Sequence, residues 1–294
     1  MMLKLKWLTA AVLAAILLAG CAGQEDTADS GTEESQDRPD EQTGEGADSG
    51  GTKGNSAEEA AEEKEADSED GQVPAAAEPA EPLYELNEAN WSFQPIGDAE
   101  PKAALLTFDD APDKHALEMA KTLKELDAPA IFFVNGHFID TDEEKAVLKE
   151  IHEMGFPIGN HTMSHPNLQQ IPEDAQREEI LGVNEIVEQV TGEKPKFFRA
   201  PFGVNTDFTR QLAADEGMLL MNWTYGFDWE PAYQNAEALA DIMVNTEYLN
   251  NGANLLMHDR EWTAAALPKI VQGLRDKGYT LIDPATIKMP EKAQ

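Results

Sequence analysis

Residues 103–110 read Ala-Ala-Leu-Leu-Thr-Phe-Asp-Asp. The first six form a largely apolar run of strand length, which stops abruptly at Asp109 and Asp110. The stretch therefore predicts a buried strand whose carboxyl end presents two carboxylates. Similar runs recur along the rest of the chain, and their spacing decides the class of fold.

Short apolar runs and amphipathic segments alternate regularly after residue 103. Strands are predicted at 103–108, 130–135, 156–160, 197–199, 218–223, 253–258 and 279–282. Helices are predicted at 114–127, 143–154, 173–191, 206–216, 236–247 and 263–277. The alternation indicates an α/β domain with a parallel sheet and right-handed crossovers. An open doubly wound sheet is one solution, and a closed or nearly closed barrel of about seven strands fits the length slightly better.

The composition is strongly acidic and uneven. The chain has 294 residues, 56 acidic and 22 basic side chains, and a formal net charge of −34. This balance argues against binding to nucleic acid, which needs clustered lysine and arginine. A single cysteine excludes an internal disulfide framework and a cysteine-rich zinc site. Residues 83–294 have a net charge of −19 and most of the aromatic side chains, so we expect the folded domain there.

The first twenty residues have the features of a targeting segment. Lys4 and Lys6 precede an apolar run at 7–19, which is too short to span a bilayer comfortably. The run ends in Leu-Ala-Gly-Cys at 18–21, which resembles a bacterial lipobox. We expect residues 1–20 to be a lipoprotein signal peptide and Cys21 to be lipidated. An ordinary signal peptide with an incidental cysteine is the alternative.

Residues 21–82 are predicted to be a disordered acidic tether. Positions 22–82 have a net charge of −17 and almost no apolar side chains, so this stretch cannot bury enough surface to offset the entropy of ordering it. The simplest role is a solvated spacer; cation collection or contact with the wall is the alternative. With a lipid anchor, the tether would place the domain outside the cytoplasm, held at the membrane through the anchor alone and facing the cell wall.

The side chains most suited to chemistry follow the predicted strands. Parallel α/β folds bring the carboxyl ends of their strands to one face, where the active site lies. Five elements would therefore deliver the following residues to one cleft: Asp109, Asp110, His161, His165, Arg199, Asp228 and His258.

Three of these residues form a candidate metal site. Asp110, His161 and His165 offer one carboxylate and two imidazoles, the ligand set of a catalytic zinc ion with an open position. The spacing of the two histidines predicts that their imidazoles lie on one side of a helical turn. We expect one divalent ion, Zn²⁺ in the first instance, with Co²⁺ or another divalent ion as the alternative.

The remaining polar residues supply an acid and a base. Asp109 would act as base toward a water at the metal, and Arg199 would hold it in the charged form. His258 would protonate the leaving group, with Asp228 fixing its tautomer and raising its pKa. Such a set suits hydrolysis of an amide or an ester. Taken alone, Asp109 and Asp110 could equally cap a helix, and the two histidines could be unliganded.

Five ordered motifs resemble those of the polysaccharide deacetylases, the NodB homology domain of carbohydrate esterase family 4, over residues 102–284. They are Thr107-Phe108-Asp109-Asp110, His161-Thr162-Met163-Ser164-His165, Arg199-Ala200-Pro201-Phe202-Gly203, Asp228-Trp229 and Leu256-Met257-His258. The resemblance implies a distorted (β/α) barrel and metal-dependent removal of acetyl groups from glycans. It assigns the same roles to the residues above. It also implies that the Phe202 N–H helps to form the oxyanion hole and that Trp229 and Leu256 line the acetyl pocket.

Two departures from the family pattern concern the substrate. The first motif continues with Ala111 where the family usually has glycine, and a methyl group there could narrow the entrance or shift the turn. The fourth motif lacks the aspartate that usually precedes Asp228-Trp229. We also expect Met218, Met221 and Trp223 in the core, and Trp262 either in the core or as a sugar-stacking platform.

Three functions remain open at this point. The leading one is a monomeric, membrane-anchored hydrolase that removes N-acetyl groups from N-acetylglucosamine in peptidoglycan or chitin-like oligomers. A second is O-acetyl ester hydrolysis on xylan or a related polymer. A third, in a different class, is a lipoprotein that binds cell-wall glycan without turnover.

Overall fold

The computed structural model describes residues 81–291. The predicted signal peptide, Cys21 and nearly all of the predicted tether lie outside these residues. Within them, no helix combines the length and the apolar character needed to cross a membrane.

Nine strands and six α-helices make up the described domain. The strands are β1 (Tyr84–Asn87), β2 (Ser92–Pro95), β3 (Ala103–Ala111), β4 (Ala130–Val134), β5 (Ile158–Asn160), β6 (Phe197–Phe198), β7 (Leu219–Leu220), β8 (Ala253–His258) and β9 (Thr280–Leu281). The helices are α1 (Ala116–Glu125), α2 (Asp142–Glu153), α3 (Glu173–Thr191), α4 (Asp207–Asp215), α5 (Ala236–Asn245) and α6 (Glu261–Asp276). All seven strands and six helices predicted from the apolar pattern are therefore present.

The main sheet is parallel and curled into a half-barrel. Its strands follow the order β7-β6-β5-β4-β3-β8, and β9 pairs with the start of β3. Beyond β7 the chain crosses toward the other edge, where Tyr225 forms an isolated parallel bridge with Leu255 of β8. The barrel expected from the sequence is thus only partly formed, because β6 and β7 are two residues long and the last gap is spanned by a single bridge.

The two faces of β3 have different surroundings. Ala104, Leu106 and Phe108 pack with the helices in the larger core, whereas Ala103 and Leu105 lie in the core inside the curled sheet. Alternate residues of a strand point to opposite faces, so Thr107 and Asp109 continue the inner face toward the carboxyl end. Along this face of β3 the interior of the curled sheet is apolar at the start of the strand and polar at its carboxyl end. The candidate site lies at that polar end.

An antiparallel hairpin of β1 and β2, which the sequence pattern did not indicate, closes the other end of the interior. Tyr84 and Phe93 are buried in the inner core. The Phe93 N–H donates to the carbonyl of Gly252, and a Cβ on Gly252 would lie 1.8 Å from the Phe93 carbonyl oxygen. Only glycine allows the hairpin to approach so closely.

Candidate active site

The carboxyl ends of β3 and β8 and the loops that follow β5, β6, β7 and β8 enclose a cavity of about 370 Å³. It is lined by Asp109, Asp110, His161, His165, Phe202, Trp223, Asp228, Trp229, Leu256, His258 and Arg260. Of the ten site residues expected from the motifs, only Arg199 does not line the cavity; it lies beneath it.

Asp109 is held in place by a fully buried arginine. Arg199 Nη1 donates to Asp109 Oδ1 at 2.6 Å and to Thr107 Oγ1 at 2.8 Å. The guanidinium also lies 4.3 Å from the centre of the Phe133 ring. Burial lowers the pKa of Arg199, and the charge and hydrogen bond of Asp109 act in the opposite direction. Because Asp109 is only 2% exposed, each charge depends on the other for its stability.

Asp110 faces the two histidines. Its Oδ1 lies 3.7 Å from His165 Nε2 and 4.0 Å from His161 Nε2. The three candidate ligand atoms are all within 4.8 Å of one another. Asp109 Oδ2 lies 3.5 Å from His161 Nε2, so the predicted base adjoins the predicted metal ligands.

His161 is prepared to act as a neutral ligand. Its Nδ1 lies 2.8 Å from the carbonyl oxygen of Arg199, which can only accept a hydrogen bond. The proton therefore resides on Nδ1, and Nε2 presents its lone pair toward Asp110. Burial lowers the pKa of His161 below its ordinary value and outweighs the opposing charge of Asp109.

The prediction that the two histidines share a helical turn is wrong. Residues 161–165 form a loop in which Thr162 and His165 have φ values of 71° and 58°. Asn135, at the end of β4, supports this loop: its Nδ2 donates to the carbonyl oxygens of His161 and Thr162 at 2.6 and 3.2 Å. The left-handed residues, rather than helical periodicity, bring the rings to a centroid distance of 4.9 Å.

Backbone strain is concentrated at the cavity. Within residues 81–291, six non-glycine residues have left-handed φ values; Asp110, His165 and Phe202 line the cavity, and Thr162 lies in the loop between the two histidines. Such conformations cost of order 1–3 kcal/mol each and persist where the surroundings enforce them. This concentration is a second reason to regard the cavity as the candidate functional site.

His258 and Asp228 form a second hydrogen-bonded pair. Asp228 Oδ1 lies 2.7 Å from His258 Nδ1, and Asp228 Oδ2 accepts from the His258 backbone N–H at 2.6 Å and from Thr263 Oγ1 at 2.8 Å. Burial alone lowers the pKa of His258, but the hydrogen bond and charge of Asp228, aided by the charges of Asp109 and Asp110, raise it above 6.5. Nε2 is left as the ring nitrogen that can serve the cavity.

Aromatic side chains form the walls. Phe202 and Trp229 are both exposed at the rim; the Phe202 ring lies 4.7 Å from that of His165, and the Trp229 ring 5.6 Å from that of His258. Trp223, expected in the core, instead lines the cavity. Trp262 packs against the core, and its Nε1 donates to the Asp228 carbonyl at 2.8 Å, so it does not line the cavity as a platform.

The two family departures affect the cavity little. Ala111 belongs to β3, is fully buried in the core and does not line the cavity, so its methyl group does not narrow the entrance. Phe227 takes the position before Asp228 and packs against Tyr233. The helix-cap alternative for Asp109 and Asp110 also fails, because both lie within β3.

Asp259 supplies the cap of α1, a role that the sequence analysis missed. Its carboxylate accepts hydrogen bonds from the backbone N–H groups of four successive residues, 113–116, at 2.6–3.1 Å. Burial raises its pKa, although these hydrogen bonds act in the opposite direction. The residue after His258 thus ties the end of β8 to the loop that follows Asp110. Its position directly after a site residue was the only available signal.

The ligand set fits a small divalent ion. For two ligands bound at about 2.0–2.1 Å with tetrahedral angles, the ligand atoms would lie about 3.4 Å apart. Asp110 Oδ1 lies 3.7 Å from His165 Nε2 and 4.0 Å from His161 Nε2, so small side-chain movements would bring the set to that spacing. His161 has the required neutral tautomer with a free Nε2, and one oxygen and two nitrogens are donors that Zn²⁺ accepts.

Comparison with known proteins agrees with this geometry. The sequence model for polysaccharide deacetylases matches residues 96–221. The peptidoglycan-N-acetylglucosamine deacetylase of Bacillus cereus is 31% identical over 186 residues, which cover 60% of this chain and 65% of that protein. The peptidoglycan-N-acetylmuramic acid deacetylase PdaA of Bacillus subtilis is 29% identical over 215 residues, which cover 71% of this chain and 78% of that protein. The chain thus spans less than two thirds of the Bacillus cereus relative.

Solved structures show the same fold. The Bc1960 peptidoglycan N-acetylglucosamine deacetylase matches with a TM-score of 0.59 at 27% identity, covering 66% of this chain and 92% of that chain. PdaA, described as a family 4 carbohydrate esterase, matches with a TM-score of 0.56 at 27% identity, covering 64% of this chain and 81% of that chain. Residues 96–221 thus match the polysaccharide deacetylase family, and the described domain has a fold similar to that of PdaA, a family 4 carbohydrate esterase.

Proposed function

We propose that this chain is a metal-dependent hydrolase that removes N-acetyl groups from N-acetylglucosamine residues of cell-wall glycan. The observation that supports it is the convergence on one cavity of three metal-ligating side chains, a buried carboxylate and a histidine–aspartate pair. A Lewis acid, a base and an acid placed together are sufficient for hydrolysis of a linear amide.

In this proposal Asp110, His161 and His165 hold the ion. When bound, a divalent ion at this position would polarise the acetyl carbonyl and make water easier to deprotonate. The Phe202 N–H would donate to the oxygen on which charge develops. Trp229 and Leu256 would enclose the acetyl methyl group.

The proton transfers belong to Asp109 and His258. Asp109 Oδ1 is engaged by Arg199, so Oδ2 would receive the proton of the attacking water. His258 Nδ1 is engaged by Asp228, so Nε2 would deliver a proton to the departing nitrogen. The C–O bond to the attacking water would form first and give a tetrahedral oxyanion; the amide C–N bond would then break as His258 protonates the nitrogen, and the products are acetate and a free amino sugar.

The substrate class is supported by the relatives. Two of them are named for removing acetyl groups from peptidoglycan, one from N-acetylglucosamine and one from N-acetylmuramic acid. A lipid anchor at Cys21 and an acidic tether would keep residues 83–294 near the same polymer. O-acetyl xylan hydrolysis and glycan binding without turnover are the competing outcomes.

Acetate release and mass spectrometry test the proposal. Purified protein loaded with Zn²⁺ or Co²⁺ is incubated with muropeptides, chitin oligomers and O-acetylated xylan, with Asp109→Asn as the matched inactive control. Loss of one acetyl mass from glucosamine units is expected. Acetate release from xylan alone would support the O-acetyl esterase alternative. Glycan binding without acetate release would support the alternative of a lipoprotein that only binds glycan.

Lipidation at Cys21 is proposed on the sequence of residues 7–21 alone. Metabolic labelling with a fatty acid should mark the wild-type protein, and Cys21→Ser should remain unlabelled. An unlabelled wild-type protein released into the medium would contradict the anchor.

A further inference from the structure

The two oxygens of the Asp110 carboxylate have different partners, and one of these partners is Arg260. Its Nη2 donates to Asp110 Oδ2 at 2.9 Å, while Asp110 Oδ1 faces the two histidines. Its Nη1 donates to the carbonyl oxygen of Asp259 at 2.9 Å, so the guanidinium is fixed at both ends. The side chain lines the cavity and is 35% exposed.

The local helix does not explain an arginine at this position. Arg260 is the N-cap residue of α6, where serine, threonine, aspartate and asparagine are favoured, and its side chain makes no capping hydrogen bond. A cation beside a helix N-terminus also opposes the helix dipole. Because arginine is unfavourable at this helix position, its presence indicates a role in the cavity that its side chain reaches.

We propose that Arg260 is a positioning residue that keeps Asp110 as a one-oxygen metal ligand. The left-handed backbone of Asp110 directs its side chain but leaves the carboxylate free to rotate. A free carboxylate can offer an ion one oxygen or both. The hydrogen bond from Arg260 occupies Oδ2 and leaves Oδ1 toward His161 and His165. The inference rests on the metal site of the proposed function.

The test compares Arg260→Ala, Arg260→Lys and Arg260→Gln in the full chain. Lysine keeps a donor and the charge, and glutamine keeps a donor without the charge. Arg210→Ala is the matched control, because Arg210 pairs with Glu88 on the exposed surface, outside the cavity lining. The readouts are the Zn²⁺ dissociation constant, measured by competition with a chromophoric chelator, and the visible absorption spectrum of the Co²⁺ form, which reports coordination number.

Arg260→Ala should weaken Zn²⁺ binding by about 10–100-fold, the usual effect of losing a hydrogen bond to a metal ligand. Its Co²⁺ spectrum should change, because the carboxylate can then offer both oxygens. Arg260→Lys and Arg260→Gln should recover part of both properties, and Arg210→Ala should match the wild type. Circular dichroism verifies that each variant folds. If Arg260→Ala does not fold, Arg260→Lys and Arg260→Gln provide the test, and both should show a smaller loss of Zn²⁺ affinity and a smaller change in the Co²⁺ spectrum.

Two results would overturn the inference. Wild-type affinity and spectrum in all three Arg260 variants would show that Asp110 needs no support. Tighter Zn²⁺ binding in Arg260→Ala and Arg260→Gln would show that Arg260 acts only as a like charge near the ion. Failure of the proposed metal site gives a different pattern, because the wild-type protein would then bind no Zn²⁺ or would keep it in His165→Ala. A wild-type protein that binds Zn²⁺ but does not deacetylate glucosamine would overturn the proposed function and leave this inference in place.

Discussion

Asp109 and Asp110 are neighbours in the chain, yet their surroundings differ in almost every respect. Asp109 lies on the inner face of β3, 2% exposed, against an arginine that is fully buried. Asp110 has a left-handed φ of 57°, and its ion pair with Arg260 lies at the cavity rim. Two identical side chains therefore acquire different chemistry, because alternate residues of a strand point to opposite faces and because one of the two residues has a left-handed backbone.

The largest effect should come from removing a metal ligand. Asp110→Ala and His161→Ala should lose most of the bound ion and, with it, turnover, because two remaining side chains cannot complete the site. Metal content after reconstitution with Zn²⁺ is the measurement, and Arg210→Ala is the control. Full metal retention in both variants would place the metal site elsewhere in the chain. Asp110 would then not differ from Asp109 as a metal ligand.

Asp109→Asn should keep the ion and lose turnover. Removing a general base typically reduces the rate by about 10²–10⁴-fold. Metal content and acetate release are measured on the same preparation, so that the two aspartates are compared directly. If Asp109→Asn also loses the ion, then Asp109 is itself a ligand, as its 3.5 Å approach to His161 Nε2 would permit.

Arg199→Ala should destabilise the fold, because it leaves the Asp109 carboxylate buried without a partner. Breaking a buried ion pair on one side typically lowers the free energy of unfolding by about 3–5 kcal/mol. Arg210→Ala, which removes an exposed ion pair, should lower it by about 1 kcal/mol or less. Urea unfolding of the two variants provides the test, and equal losses would mean that burial does not distinguish the pairs.

The smallest predicted effect concerns pH. The hydrogen bond and charge of Asp228 raise the pKa of His258, which must be protonated to act as the acid, so activity should fall as the pH rises through that raised pKa. Asp228→Asn removes the charge that raises this pKa, so the alkaline limb of the kcat profile should move to lower pH. Asp241→Asn, on the exposed surface of α5, is the control. If the alkaline limb of the profile does not move in Asp228→Asn, it reports the titration of a group other than His258.

Much of the fold was predictable because its signals are local. The run at 103–110 ends in carboxylates at the position where β3 ends, and α3 was predicted at its observed limits, Glu173–Thr191, with Gly192 beyond its end. The seven polar site residues were found by the rule that polar side chains after parallel strands meet at one face, whereas Phe202, Trp229 and Leu256 came from the family resemblance alone. Asn135 obeys the same rule after β4 and could have been found in that way.

Other features depend on contacts between distant parts of the chain. Asp259 reaches back 143–146 residues to cap α1, and Arg260 reaches 150 residues to Asp110. No spacing within a strand or helix encodes such a pair. The left-handed conformations of Thr162 and His165 likewise contradicted the helical turn that the histidine spacing suggested.

The sequence by itself determined the order of strands and helices, the acidic segment before residue 83 and the identity of the reactive side chains, because hydrophobic periodicity and composition act over short distances. The tertiary structure alone decided that the sheet stops at a half-barrel, that Arg260 holds Asp110, and which oxygen of Asp110 faces the histidines. Those choices depend on burial and on hydrogen bonds that exist only once distant loops meet over the end of the sheet.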